Sequence, residues 1–406
     1  MNSLRLGLPL AFTGAIVLGA GACSGPGMTP SGGGVPATRY GAVRGAIGLG
    51  PVLSTKLGGT VLGWDMNQNG NDGFLTEAVL REHNVTFGTE TFDETAATVT
   101  KLVNQKTVPG GNDEPFAEAV MGSDVGFIDV QRTVVHDGII HRDDGFRLMN
   151  PVAGNRVNGT SSPRKSSGLE PNFVTNNQSS PIQAMMAYRI LRDFKQGVDL
   201  YVYDSAANTW IGPHAFPRQQ VFAGYALYAA VDARSGNVFV SYQTGTGNYE
   251  NLPPRFDVFD GRSGSLLRHF DGLGKGFLNG MAVDSTTGVL CTTTFGDMNV
   301  EFYDDSTGKG FVVKIPGQGG PLTQGAAVAA DPVNHLFLIA QQNSTVGGSG
   351  SAVLVYDEQG DLVESITGFN FLNQFSPIPV HIAVNGTTRI GYVPGPNANK
   401  LQSFTY

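Results

Sequence analysis

The sequence predicts an all-β fold assembled from a tandem repeat, and three observations predict it. After residue 40 helical periodicity is scarce, and short alternating runs of Val, Ile, Phe, Tyr and Thr are separated by Gly, Asp, Asn and Ser turns. One run recurs, as AAVDARSGNVFVSY from residue 229, MAVDSTTGVLCTTT from 281 and VAADPVNHLFLIA from 328, with Asp232, Asp284 and Asp331 about 50 residues apart. A second run follows each copy: FDVFDGRSGSLLRHF, VEFYDDSTGKGFVVKI and VLVYDEQGDLVESI, with earlier examples around Asp204 and Asp93. Each run reads as a hairpin. Its Asp carboxylate accepts hydrogen bonds from turn amides, and Gly supplies positive φ where the second strand begins. Two hairpins per period make four strands, the unit of a β-propeller blade.

In chain order, TVLGWD at residue 60 opens a blade, and GSDVGFIDVQ at 122 with DGFRLMNPVAGNRV after it opens a degenerate one. From about residue 199 onward the copies are clearest. The last, VHIAVNGTTRIGYVPGPNANKLQSFTY, offers three strands, and the segment after Tyr40 can supply the fourth, closing the ring so that no edge strand is exposed. Dividing roughly 360 residues by a blade of about 50 gives seven blades, with six the alternative count. Residues 153–181 are polar, break the repeat and read as a long surface loop, with Arg156, Arg164 and Lys165 a minor basic spot in it. The blade pattern resembles the NHL and YVTN repeat families of β-propellers over most of residues 58–406. The Trp-Asp signature of WD-repeat propellers is missing, Trp64 and Trp210 being the only tryptophans.

The first 22 residues read as a signal peptide: Arg5 is the positive n-region, LGLPLAFTGAIVLGA the apolar h-region, and Ala20-Gly21-Ala22 the cleavage site. Cys23 follows directly. With the Gly/Ser/Pro stretch of residues 23–40 after it, this segment resembles a bacterial lipoprotein, although Ala20 stands where that pattern usually has Leu. The resemblance implies a lipidated Cys23, a flexible tether and a propeller domain over residues 41–406 held off a membrane. Ordinary secretion as a soluble protein is the alternative. Cys291, the only other cysteine, lies in an apolar run and reads as a small buried hydrophobe, so neither a disulfide framework nor a cysteine-based zinc site is available. A net charge of −8 with no Lys/Arg-rich run gives no electrostatic basis for nucleic-acid binding.

Three constellations are candidates for chemistry. In DMNQNGNDG, the residues Asp65, Asn67, Asn69 and Asp72 resemble a calcium loop, but Thr76 stands where an EF-hand needs its bidentate Glu. Aligned with the repeat, Asp65 takes the place of Asp232, and the stretch reads as the blade's own turn lengthened by about four residues. His136 and His141, in VVHDGIIHRDD, would be brought together by a hairpin at Asp137-Gly138. His381, Tyr228 and Asn279 fall at or near the start of innermost strands, where the propeller resemblance places the channel mouth. Lactonase-like and lyase propellers carry their catalytic groups there, but these three do not make up a base, an orienting partner and a charge stabiliser. The expectation is therefore an exported, monomeric, lipid-anchored binding module facing the periplasm or exterior. It needs no cofactor, with calcium the exception to test, and its partner is an envelope protein, peptide or glycan. An extracytoplasmic propeller enzyme, a metal-dependent hydrolase or a lyase, is the alternative.

Overall fold

The computed structural model describes residues 47–406 apart from 69, 82–83, 110–118, 122–125, 131–132, 137–138, 143–144, 150–168, 176–181, 191–195, 205–206, 208, 216–227, 243–252, 297–298, 316–323, 343–350 and 371–380. Cys23, the signal segment, the tether and the basic spot at Arg156, Arg164 and Lys165 lie outside the described residues. The alternating runs form antiparallel meanders that follow one another along the chain. After β1 (Gly48–Ser54), the first sheet contains β2 (Thr60–Met66), β3 (Asp72–Arg81), β4 (Asn84–Asp93) and β5 (Thr98–Pro109). A three-stranded sheet follows, of β6 (Ala119–Met121), β7 (Gly126–Val130) and β10 (Gly145–Met149). Between its last two strands is a ribbon of β8 (Thr133–His136) and β9 (Ile139–Arg142). In that ribbon β8 pairs antiparallel with β9, His136 opposite Ile139 and His141 opposite Val134.

The third sheet is β11 (Leu169–Thr175), β12 (Ile182–Ile190), β13 (Gln196–Asp204) and β14 (Thr209–Ala215). Strand β11 corrects the reading of 153–181 as loop throughout. Its LEPNFVT has little apolar alternation of its own, and its strand state comes from pairing with β12, across a register shift at Pro171, which has no N–H to give the ladder. The fourth sheet is β15 (Tyr228–Val231), β16 (Asn237–Tyr242), β17 (Arg255–Asp260) and β18 (Leu266–Asp271). The fifth is β19 (Gly276–Asp284), β20 (Val289–Gly296), β21 (Asn299–Asp304) and β22 (Gly310–Lys314). The sixth is β23 (Gln324–Asp331), β24 (Leu336–Gln342), β25 (Ser351–Asp357) and β26 (Leu362–Phe369).

The last sheet closes the ring as the sequence suggests. Its β27 (Ala383–Asn385), β28 (Ile390–Pro394) and β29 (Lys400–Thr405) come from the C-terminus, and its outer strand is β1 (Gly48–Ser54), paired antiparallel with β29 from Gly48–Thr405 to Ser54–Lys400. The innermost strands meet in chain order, β15 with β19, β19 with β23, β23 with β27, and β27 with β2. Apolar residues therefore lie between sheets. Phe302 and Cys291 of the fifth sheet pack with Phe337, Leu354 and Tyr356 of the sixth, while Trp64 and Phe92 of the first pack with Tyr392 and Leu401 of the closing sheet. Third strands are buried on both faces, as in β25, whereas fourth strands such as β18 and β22 are largely exposed.

Candidate functional site: the turn face and its seams

The turn carboxylates lie at one end of the sheets, where each innermost strand turns into the next. In the inner turns the carboxylate does what the repeat predicts. Asp232 is fully buried and accepts from the amides of Arg234 (3.0 Å) and Ser235 (3.1 Å). Asp284 accepts from Thr286 N at 2.8 Å, and Asp331 from Val333 N and Asn334 N at 3.0 and 3.1 Å. In the closing sheet Asn385 Oδ1 takes the role, accepting from Thr387 N at 2.9 Å. The left-handed residue four places on is Gly236 and Gly288 in two turns (φ 76° and 81°), but His335 and Arg389 in the others (both φ 57°).

A buried turn carboxylate is costly unless something opposes its charge, and neighbouring sheets resolve this differently at each seam. Three of the outer turns carry a second acid immediately after their own Asp: Asp305 after Asp304, Glu358 after Asp357 and Glu94 after Asp93. Between the fourth and fifth sheets, Arg234 Nη2 donates to both oxygens of Asp305 at 3.0 and 3.1 Å. Burial, with the Asp232 charge beside it, still pushes Asp305 up to about 6 against the pull of Arg234. Between the sixth and closing sheets the Tyr406 hydroxyl donates to Asp331 at 3.0 Å. Between the closing and first sheets the problem is avoided, because Asn385 replaces the Asp and its amide donates to both oxygens of Glu94 at 3.1 Å. Burial nevertheless raises Glu94 to about 7. Between the fifth and sixth sheets, Asp284, His335 and Glu358 meet. His335 Nδ1 lies 3.0 Å from Asp284 Oδ2 and 3.1 Å from Thr286 Oγ1, and the Thr287 hydroxyl donates to Glu358.

A third acid column stands three residues before the outer Asp: Glu90, Asp257 and Glu301, each fully buried. Glu90 accepts from Lys56 N at 3.0 Å, and its neighbour Glu77 accepts from Leu57 N and Gly59 N at 3.1 and 2.7 Å. These amides belong to the linker that enters the first sheet. In the fifth sheet the equivalent linker approaches Glu301. Leu273 N donates to the Tyr303 hydroxyl at 2.9 Å, and that hydroxyl donates to Glu301. A Cβ on Gly274 would lie 1.9 Å from Glu301 Oε1, so only glycine allows this approach. Sequence reasoning picked out the turn Asp of both runs and missed the acids that flank the outer one. The signal was present as a column in TETFDE, FDVFDG and VEFYDD.

The residues singled out from the sequence fall as follows. The DMNQNGNDG stretch is the turn between β2 and β3, but the alignment corrects by two residues. Asn67, not Asp65, occupies the Asp232 position, since Asn67 N donates to Asp72 O (2.9 Å) as Asp232 N donates to Asn237 O (2.9 Å). The turn is thus of ordinary length, and the Asn-Gly composition had suggested an insertion that strand pairing does not contain. Asp65 sits on β2 with Oδ1 accepting from Met66 N, Asn67 Nδ2 donates to Asp72 Oδ1 at 2.9 Å, and Asn69 lies outside the described residues. His381, just before β27, donates from Nε2 to Trp64 O at 2.8 Å and meets the Trp64 ring edge-on. Burial pushes its pKa down to about 4, so it is neutral at pH 7. Tyr228 opens β15 and is partly buried against the core cluster of the fourth and fifth sheets, and Asn279 lies in β19. Tyr228 and His381 stand apart in the ring, with β19 and β23 between their strands.

This geometry defines a β-propeller. No protein-family model matches the chain, and no curated protein matches it in sequence. Among solved structures, it is similar to a chain of the mitotic checkpoint complex (12% identity, 97% of this chain and 99% of that one, TM-score 0.52). It is also similar to Chaetomium thermophilum Sqt1 bound to the N-terminus of the ribosomal protein L10 (11%, 86% and 97%, 0.50) and to C. thermophilum Raptor (9%, 88% and 29%, 0.52). The neighbouring structures are WD40-type β-propellers. The likeness is one of backbone architecture.

Proposed function

We propose that this chain is a binding module, an exported β-propeller of seven blades anchored at the cell envelope through a lipidated Cys23. The observation that supports this is an asymmetry between the two ends of the sheets. On the turn face, the connections between paired strands are four to six residues long, and several are tied by the carboxylates described above. At the other end, six pairs of consecutive strands stand eight to thirteen residues apart in sequence, across 110–118, 216–227, 243–254, 315–323, 343–350 and 370–382, most of which lie outside the described residues. Long connections carried by a rigid scaffold are the usual seat of recognition. A propeller of similar fold has been solved holding the N-terminus of a ribosomal protein, which supports a protein or peptide partner over a glycan. The role requires no cofactor.

Cross-linking in intact cells tests the binding surface. Replacing 243–254 or 370–382 with a short turn is expected to abolish the cross-linked species. Changing the exposed turn residues Arg262 and Ser263 to Ala is expected to leave it intact. Unchanged cross-linking in both loop variants would overturn the reading. Labelling with a palmitate analogue, lost in Cys23→Ala, tests the anchor separately.

A further inference from the structure

We propose that the seam between the fifth and sixth sheets is a site for a divalent transition-metal ion of the zinc class, ligated by Asp284, His335 and Glu358. One ligand atom from each lies within 4.8 Å of the others. A tetrahedral centre with bonds of about 2.0–2.2 Å sets its ligand atoms about 3.4 Å apart, so small rotations of His335 and Glu358 suffice. Asp284 is fully buried and held by its own turn, while His335 is half-exposed and leaves a coordination position open to water. An imidazole with two carboxylates suits zinc and its neighbours, whereas calcium and magnesium favour all-oxygen shells.

The sister seam supplies an independent argument. There the same two positions, inner-turn Asp232 and outer-turn Asp305, are joined by the guanidinium of Arg234. Here the Arg position is Thr286, which bonds only within its own turn and to His335. Among the described residues the two carboxylates therefore meet with no guanidinium or ammonium between them. In place of the glycine found at the same turn position in Gly236 and Gly288, the chain holds His335 at φ 57°, with its ring aimed at Asp284. An ion bound there replaces the imidazole Nδ1 proton and does for this seam what Arg234 does for the other.

Titration of the full chain with Zn²⁺ by calorimetry, and with Co²⁺ by visible absorption, tests the site. Two variants accompany it. His335→Gly installs the residue the repeat itself uses at that φ, so the fold is retained, and Glu358→Gln is isosteric. The expected result is a one-to-one site in the parent chain that weakens by roughly tenfold or more in each folded variant. The absence of a one-to-one site in the parent, or its retention at full strength in either folded variant, overturns the proposal.

Discussion

At Asp232, a fully buried carboxylate is stable because two turn amides and the Ser235 hydroxyl donate to it. Removing it takes away the charged acceptor that organises those donors. Asp232→Ala is expected to cost about 3 kcal/mol, measured by urea denaturation, since bonds to charged acceptors are the strong class. The outer turns test the glycine requirement. Gly308 has φ 71°, and a Cβ there would lie 2.7 Å from the Phe270 ring, which stacks on Phe256. Gly308→Ala is therefore expected to destabilise by about 2 kcal/mol, from backbone strain plus displaced packing. The inner Asp and the Gly were both legible in the sequence, because a local turn imposes them. Asn67 was misaligned because Asn and Gly fit several turn registers, and only strand pairing selects one. The metal-ligand set was not legible, since Asp284, His335 and Glu358 come from three turns on two sheets.

Among the elements, the linkers entering the first and fifth sheets are held by acids that local pattern does not explain. Glu90, foremost through burial and also through the neighbouring Glu77, is raised from 4.5 to about 7 despite the Lys56 amide. A carboxyl whose folded pKa lies above its unfolded value keeps a proton that the unfolded chain has released. Its contribution therefore favours the fold most at low pH and declines as pH rises from about 4.5 through about 7. Glu94 acts in the same sense. Glu90→Gln supplies the shared hydrogen permanently. It is expected to raise the melting temperature at pH 8 and to flatten the decline between pH 5 and 8. An unchanged slope in thermal melts across that range would count against this assignment. These acids were visible as a repeat column, but their partners are amides of a linker that no spacing rule connects to them. Strand β11 was hidden for the same reason, since its identity rests on β12.

For the whole molecule, the ring closes through β1, and this was legible. A terminal copy one strand short and an unassigned segment before the first copy together imply that the chain's two ends share a sheet. Closure removes the open edge of β29 and places Trp64 Nε1 on Tyr392 O at 3.1 Å across the junction. The difference in connection length between the two ends of the sheets, four to six residues at the turns and up to thirteen opposite, follows from strand order and is not displayed by single runs. The most direct test of the closed propeller is a cross-link between paired positions of its two ends. Ser54 and Lys400 are register partners in β1 and β29. In a chain carrying Cys23→Ala, whose remaining native thiol Cys291 is buried, Ser54→Cys with Lys400→Cys should oxidise to an intramolecular disulfide. A non-reducing gel should then show a monomer of altered mobility, and the melting temperature should rise. Free thiols or disulfide-linked dimers in place of that species would contradict the closed ring.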